Sequence, residues 1–265
     1  MLKATLYLCI ITWIVYAIDT WAMSLRLVVY RSKQYNLTQS TFNIVAIAAK
    51  FAQMFQAPLL GILIDVSINS GKDPIGDFRL ILGASTFGVL VAMVLMPSFL
   101  KFFDKLVSKI GEKGSVTKFV LEEMEPKKIK AVKQFVVMPK KTMFEEIKDM
   151  WQFKGILLSQ LVISSIYTVG VLSAYYASYM MPNSRLAIAG FSGSINSVAS
   201  LLMILFLDPQ LALITDESYV GRREYSDLKK VVLVLIFSKL LGTLIGQAIF
   251  VPSAQWIIWV YELLT

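Results

Sequence analysis

Histidine is absent from this chain of 265 residues, and cysteine occurs once. That inventory excludes a histidine-based triad, a histidine zinc site, a haem imidazole ligand and any disulfide within the chain. The single thiol, Cys9, lies inside an apolar run and reads as a small packing residue. Charge is scarce as well: Asp, Glu, Lys and Arg make up 17% of the residues, against roughly a quarter in ordinary soluble domains. No G-x-x-x-x-G-K-S/T occurs, and Gly111-Glu-Lys-Gly114 is no nucleotide loop, which argues against ATP hydrolysis by this chain. No apolar stretch carries two acids at metal-ligand spacing, and no clustered set suited to an intramembrane protease or a lipid pyrophosphatase stands out. The sequence reads as a non-enzyme with neither metal nor cofactor, which leaves transport without covalent chemistry.

What the chain does have is apolar surface. Hydrophobic residues make up 56% and the mean hydropathy is +0.64, values of an integral membrane protein. The net charge of +8 could serve nucleic acid, but its clustering in one connection favours an anionic membrane face, so anionic inner-leaflet lipids are the expected contact and nucleic acid is not. A helical span needs about 20 mainly apolar residues. Six stretches qualify, at 4–28, 40–65, 78–99, 155–181, 187–214 and 230–251. The first is followed by no small-residue cleavage site and is expected to be retained. The class is therefore an all-α polytopic membrane protein with six transmembrane helices. Its expected parts are a first three-helix half (1–99), a basic amphipathic linker (100–154) with Pro126 and Pro139, a second three-helix half (155–254), and a short C-terminal segment (255–265). That last segment carries Trp256, Trp259 and Tyr261 and reads as interfacial or re-entrant. Twenty basic residues fall on the side of the long connection and four on the other, which puts the linker in the cytoplasm and both termini outside.

An odd number of spans on each side of the linker would give two related halves opposite orientations. Phe55-Gln-Ala-Pro58-Leu-Leu-Gly-Ile-Leu-Ile-Asp65 and Phe206-Leu-Asp-Pro209-Gln-Leu-Ala-Leu-Ile-Thr-Asp216 share F-x-x-P-x-L-x-x-I-x-D. Upstream of both lies N-x-V-A, at Asn43 and Asn196, and spans 3 and 6 both end in Pro-Ser. A 3+3 inverted-topology repeat is the expectation, with chance similarity between apolar segments as its competitor. Pro58 and Pro209 each remove a helical donor, so spans 2 and 5 are expected to be Pro-broken helices of the kind that mark transport sites, or else merely kinked.

Ionisable groups inside apolar spans are costly unless paired or hydrated. At 1.5 Å per residue, Asp19, Lys50 and Lys239 all fall roughly 12–15 Å from the cytoplasmic boundary and could form one layer. One carboxylate between two ammonium groups leaves a positive excess suited to an anionic substrate; the alternative is a pair that only locks helices together. Arg26 lies nearer the boundary, where it can snorkel or offer its planar fork to a phosphate. Asp208 sits beside the proposed break in span 5. Gln53, Gln56, Gln247, Asn43 and Asn196 add neutral hydrogen-bonding groups, so spans 2, 5 and 6 carry the polar face. Gly242-Thr-Leu-Ile-Gly246 permits close helix approach, either within the chain or across a homodimer. The aromatic stretch from Tyr167 to Tyr179 reads as packing and interfacial anchoring.

Four stretches together resemble one family: Ser24-Leu-Arg26-Leu27, Gln53-Met-Phe-Gln-Ala-Pro58, Asp208-Pro209-Gln210 through Asp216, and Leu240-Leu-Gly-Thr243 through Phe250-x-Pro252-x-Ala-Gln-Trp256. They are similar to the Amj family of bacterial lipid II flippases, the alternates that can substitute for MurJ in cell-wall synthesis. The likeness covers both membrane halves and is weak across the linker. It implies a protein of the bacterial cytoplasmic membrane that moves lipid II, the undecaprenyl-pyrophosphate-linked peptidoglycan precursor, outward. Only the head group of such a lipid needs shielding, which a polar cavity open sideways would provide, with Lys50, Lys239 and Arg26 as available cations. Two other readings stay open: a small-solute or ion-coupled secondary transporter, and a non-transporting scaffold for cell-wall enzymes.

Overall fold

A computed structural model describes residues 2–113 and 151–265, and every regular element among them is helical. Span 1 is α1 (Leu2–Ser32). Span 2 is α2 (Tyr35–Met54) followed by α3 (Gln56–Ser70), and span 3 is α4 (Ile75–Lys113). Span 4 is α5 (Lys154–Met180). Span 5 is α6 (Arg185–Leu202) and α7 (Asp208–Tyr219), joined by a π-helical turn at Met203–Leu207, and span 6 is α8 (Tyr225–Leu264). All six spans are long and apolar enough to cross a membrane.

The helices outrun the apolar stretches. α4 continues to Lys113 and buries Leu100, Phe103, Val107 and Ile110, one side chain per turn, so the first part of the expected linker extends span 3. The rest of that linker, with Pro126 and Pro139, lies outside the described residues. The segment expected at 255–265 is not a separate helix. α8 runs through Pro252 to Leu264, with Ile257 fully buried, and the Tyr261 hydroxyl donates to Ser184 Oγ at 2.8 Å. A proline removes one helical bond, and here the packing on both sides of it holds the helix together.

Spans 2 and 5 are interrupted, though neither unwinds. Phe55 keeps near-helical angles (φ −78°, ψ −10°), and its N–H turns to the Ala52 carbonyl at 3.2 Å. Pro58 is the third residue of α3 and Pro209 the second of α7. The N–H groups of a first helical turn have no intrahelical partner, so proline there costs no bond. The prolines thus restart each helix after an offset, rather than freeing the long unpaired stretch expected of a broken helix.

The packing follows small residues. α1 and α4 run parallel, with contacts in register from Thr5–Asp77 through Trp21–Ala92 to Arg31–Asp104. α5 and α8 run parallel likewise, from Ser164–Gly242 through Ser173–Phe250 to Ser184–Tyr261 beyond the end of α5. A Cβ on Gly88 would fall 2.6 Å from the Trp13 carbonyl, and one on Gly242 would fall 2.6 Å from Ser164 Cβ. Gly242 and Gly246 therefore serve the crossing of spans 4 and 6 within the chain. Across the halves, α3 touches α5 as α7 touches α1, and α4 packs on α8.

The apolar core has two clusters. One holds Leu25, Val28, Phe103, Ile163, Leu233 and Ile236; the other holds Leu8, Leu63, Phe78, Leu172, Phe250 and Ile257. Between them the close-packed spans carry Ser164, Thr168, Lys239 and Thr243, all buried. Polar groups at this depth mark where the structure departs from simple helix packing.

Candidate functional site

The side chain at the centre of that layer is Lys239, 7% exposed on α8. Its Nζ lies 5.4 Å from the centre of the Tyr16 ring on α1, a cation–π contact. Asp19, one turn further along α1, acts on Lys239 electrostatically, and Thr168 on α5 lies beside the Tyr16 hydroxyl. Next to Thr168, the Tyr167 hydroxyl meets Ser200 Oγ of α6 at 3.1 Å. Spans 1, 4, 5 and 6 thus converge on one polar cluster.

From there a ladder runs down α1. Tyr16, Asp19, Met23, Arg26 and Tyr30 follow one another at alternating steps of three and four residues, which places them on one helix face. Asp208 on span 5 and Tyr35 on α2 act on Arg26, and the Tyr30 ring lies 5.1 Å from Tyr225 at the start of α8. Asp19 is exposed and Arg26 half-buried. A second stripe, Gln39, Asn43, Lys50 and Gln53, is exposed along α2, with Gln39 Nε2 donating to Asn43 Oδ1 at 3.1 Å. Exposed polar stripes on membrane spans need water or a polar ligand opposite them rather than lipid chains.

The expected three-residue layer is not an ion-paired network. Among the described residues no ion pair joins Asp19 to Lys239 or Lys50, and Lys50 stands apart on the exposed stripe of α2. Gln247 is committed elsewhere: Nη1 of Arg79 on α4 donates to its backbone carbonyl and, at 3.3 Å, to its Oε1, while Gln247 Nε2 donates to the Arg79 carbonyl at 3.1 Å. Among the described residues Asn196 Oδ1 is buried without a hydrogen-bond partner against Gly170, where a Cβ would lie 2.3 Å away. Gln56 is half-buried at the start of α3, and Asp208 is exposed. Tyr16 and Thr168 escaped sequence reading, and Tyr167 was read there as packing, because aromatic and hydroxyl residues are ordinary in membrane helices. The i, i+3 spacing of Tyr16 and Asp19 was the available signal. A cavity of about 330 Å³ opens between spans 4 and 5, lined by Gln152, Phe153, Gln210, Ile214 and Arg223.

Comparison with known proteins decides the family. The Amj family profile, described as "Alternate to MurJ", matches residues 11–261. This chain belongs to the Amj family. A curated Amj relative, the lipid II flippase Amj of Bacillus subtilis (strain 168), is 29% identical over 248 residues, covering 93% of this chain and 92% of the relative. No solved structure matches. Because the match runs from before Tyr16 to beyond Gln247, the whole polar cluster lies inside the Amj region, as do both interrupted spans.

Proposed function

We propose that this protein is a lipid II flippase of the bacterial cytoplasmic membrane, a transporter and not an enzyme. The observation that carries this reading is the family match, which spans both membrane halves and includes every residue of the polar ladder. The chemistry of the substrate fits the geometry. A sugar-peptide head and a pyrophosphate must cross while the polyprenyl tail stays in lipid, so the path needs polar groups along one open side. The half-buried ladder on α1 and the exposed stripe on α2 offer that side. Arg26 and Lys50 are the cations open to an incoming pyrophosphate, and Lys239, covered by Tyr16 and balanced by Asp19, is the charge held at mid-span. Asn43, Gln53, Gln56, Asn196 and Asp208 supply hydrogen-bonding groups along or beside this path, while Gln247 is held by Arg79. We further infer that residues 1–99 and 155–254 are inverted repeats, with Pro58 equivalent to Pro209 and both termini outside.

The test uses purified protein in liposomes with head-labelled lipid II and a membrane-impermeant quencher. Accelerated loss of protected label, relative to protein-free vesicles, supports lipid II transport. Uptake of small anions without lipid II movement would identify a solute transporter, and neither activity would leave a scaffold.

A further inference from the structure

Spans 2 and 5 are the least covered of the six, and each packs mainly on its sequence neighbour: α2 on span 1, α6 on span 4. They nevertheless meet at both ends. At one end Nη1 of Arg185, the first residue of α6, lies 2.5 Å from Oδ1 of Asp65 on α3, with side chains 51% and 57% exposed. At the other end Lys33, just ahead of α2, donates from Nζ to the Tyr219 carbonyl at the end of α7, at 3.2 Å. The Tyr219 hydroxyl returns a bond to the Lys33 carbonyl, also at 3.2 Å.

Three features of these contacts fit a gate. They occupy near-equivalent places in the proposed repeat: Arg185 lies 11 residues ahead of Asn196 and Lys33 lies 10 ahead of Asn43, while Asp65 matches Asp216, one turn before Tyr219. Lys33 is also the one non-glycine residue with positive φ among the described residues, at 56°. Glycine would cap α1 there without strain, so the lysine is held by what its side chain does: its Nζ lies 4.3 Å from the Tyr30 ring and 5.2 Å from the Tyr219 ring. Finally, exposed pairs of this kind add little net stability and open readily, as a gate requires.

We propose that Arg185–Asp65 and Lys33–Tyr219 are latches at the two ends of one lateral cleft between spans 2 and 5, and that head-group passage requires both to open. The proposal rests on the transport reading above, but its first test does not. In a Cys9→Ser background, Gln53→Cys reports whether the cleft is reached by a membrane-impermeant maleimide applied on the side where a cysteine at Asn183 reacts. Asp65→Arg opposes two cations and should raise that labelling about tenfold, while adding Arg185→Asp restores the pair and the parental rate. Equal labelling of all three proteins overturns the proposal. If the single reversal does not insert, Arg185→Gln takes its place with the same expected direction. In the second arm, cysteines at 65 and 185 joined by a short cleavable thiol linker should stop lipid II movement, and cleavage should restore it. Full-rate movement in the linked protein overturns the latch. Absence of lipid II movement before linking counts against the substrate reading alone, because the labelling arm still decides the latch.

Discussion

The ammonium of Lys239 sits over the face of Tyr16, 5.4 Å from the ring centre, and ties span 6 to span 1 at mid-span. The contact joins the two halves of the chain. A desolvated cation–π contact contributes about 2 kcal/mol.

The ring face, rather than the hydroxyl, should therefore carry this contact. Tyr16→Phe is expected to leave thermal unfolding in detergent within about 0.5 kcal/mol of the parent, whereas Tyr16→Leu should destabilise by about 2 kcal/mol or more. In a Lys239→Met background that penalty should shrink, since the cation is gone. Equal penalties in both backgrounds would show that the ring acts by packing alone.

Charge and fold can be separated at the three cations. Lys50→Met and Arg26→Gln should lower lipid II movement with little change in unfolding, because both groups have solvent access and neither anchors the core. Lys239→Met should lower movement, and because Asp19 is exposed and makes no ion pair with Lys239, adding Asp19→Asn should change stability little and leave movement low. Undiminished movement by a folded Lys50→Met, Lys239→Met double variant would remove both lysines from the path and leave Arg26.

Close approach at the two parallel crossings makes glycine necessary there. Gly88→Ala and Gly242→Ala are each expected to destabilise by about 1–3 kcal/mol, since the new methyl meets a backbone oxygen in one case and Ser164 Cβ in the other. Ser164→Gly should relieve Gly242→Ala and have no effect on Gly88→Ala, as read from unfolding midpoints of the double variants. Gly190→Ala, where the added Cβ meets nothing within 4 Å, is the neutral control.

Thr12 Oγ1 and Ser238 Oγ are buried without hydrogen-bond partners among the described residues. Leaving such a group unsatisfied costs about 1–3 kcal/mol. Thr12→Val and Ser238→Ala should consequently raise the unfolding midpoint. If these hydroxyls are kept for transport, the same variants should move lipid II more slowly. Greater stability with unchanged movement would assign them no role in transport.

Much of this fold was legible because a bilayer leaves a chain few options. Apolar runs of about 20 residues, basic residues gathered on one side, and matching proline motifs fixed the class, the six spans and the places where spans 2 and 5 are interrupted. The resemblance to the Amj family was likewise written in short motifs and holds across residues 11–261. Tertiary structure decided which polar groups meet. Residue counting puts Asp19, Lys50 and Lys239 at one depth, but depth is one coordinate, and the rotation of each helix sends Lys50 to an exposed stripe and Lys239 under Tyr16. Gln247 looked like a free polar group until Arg79, 168 residues away in sequence, took both its carbonyl and its side chain. The G-x-x-x-G motif left its partner open, and the position of Ser164 settled it within the chain. Hydropathy follows the environment of each residue singly, whereas a pairing depends on two helices' rotation and register at once, and only their packing fixes those.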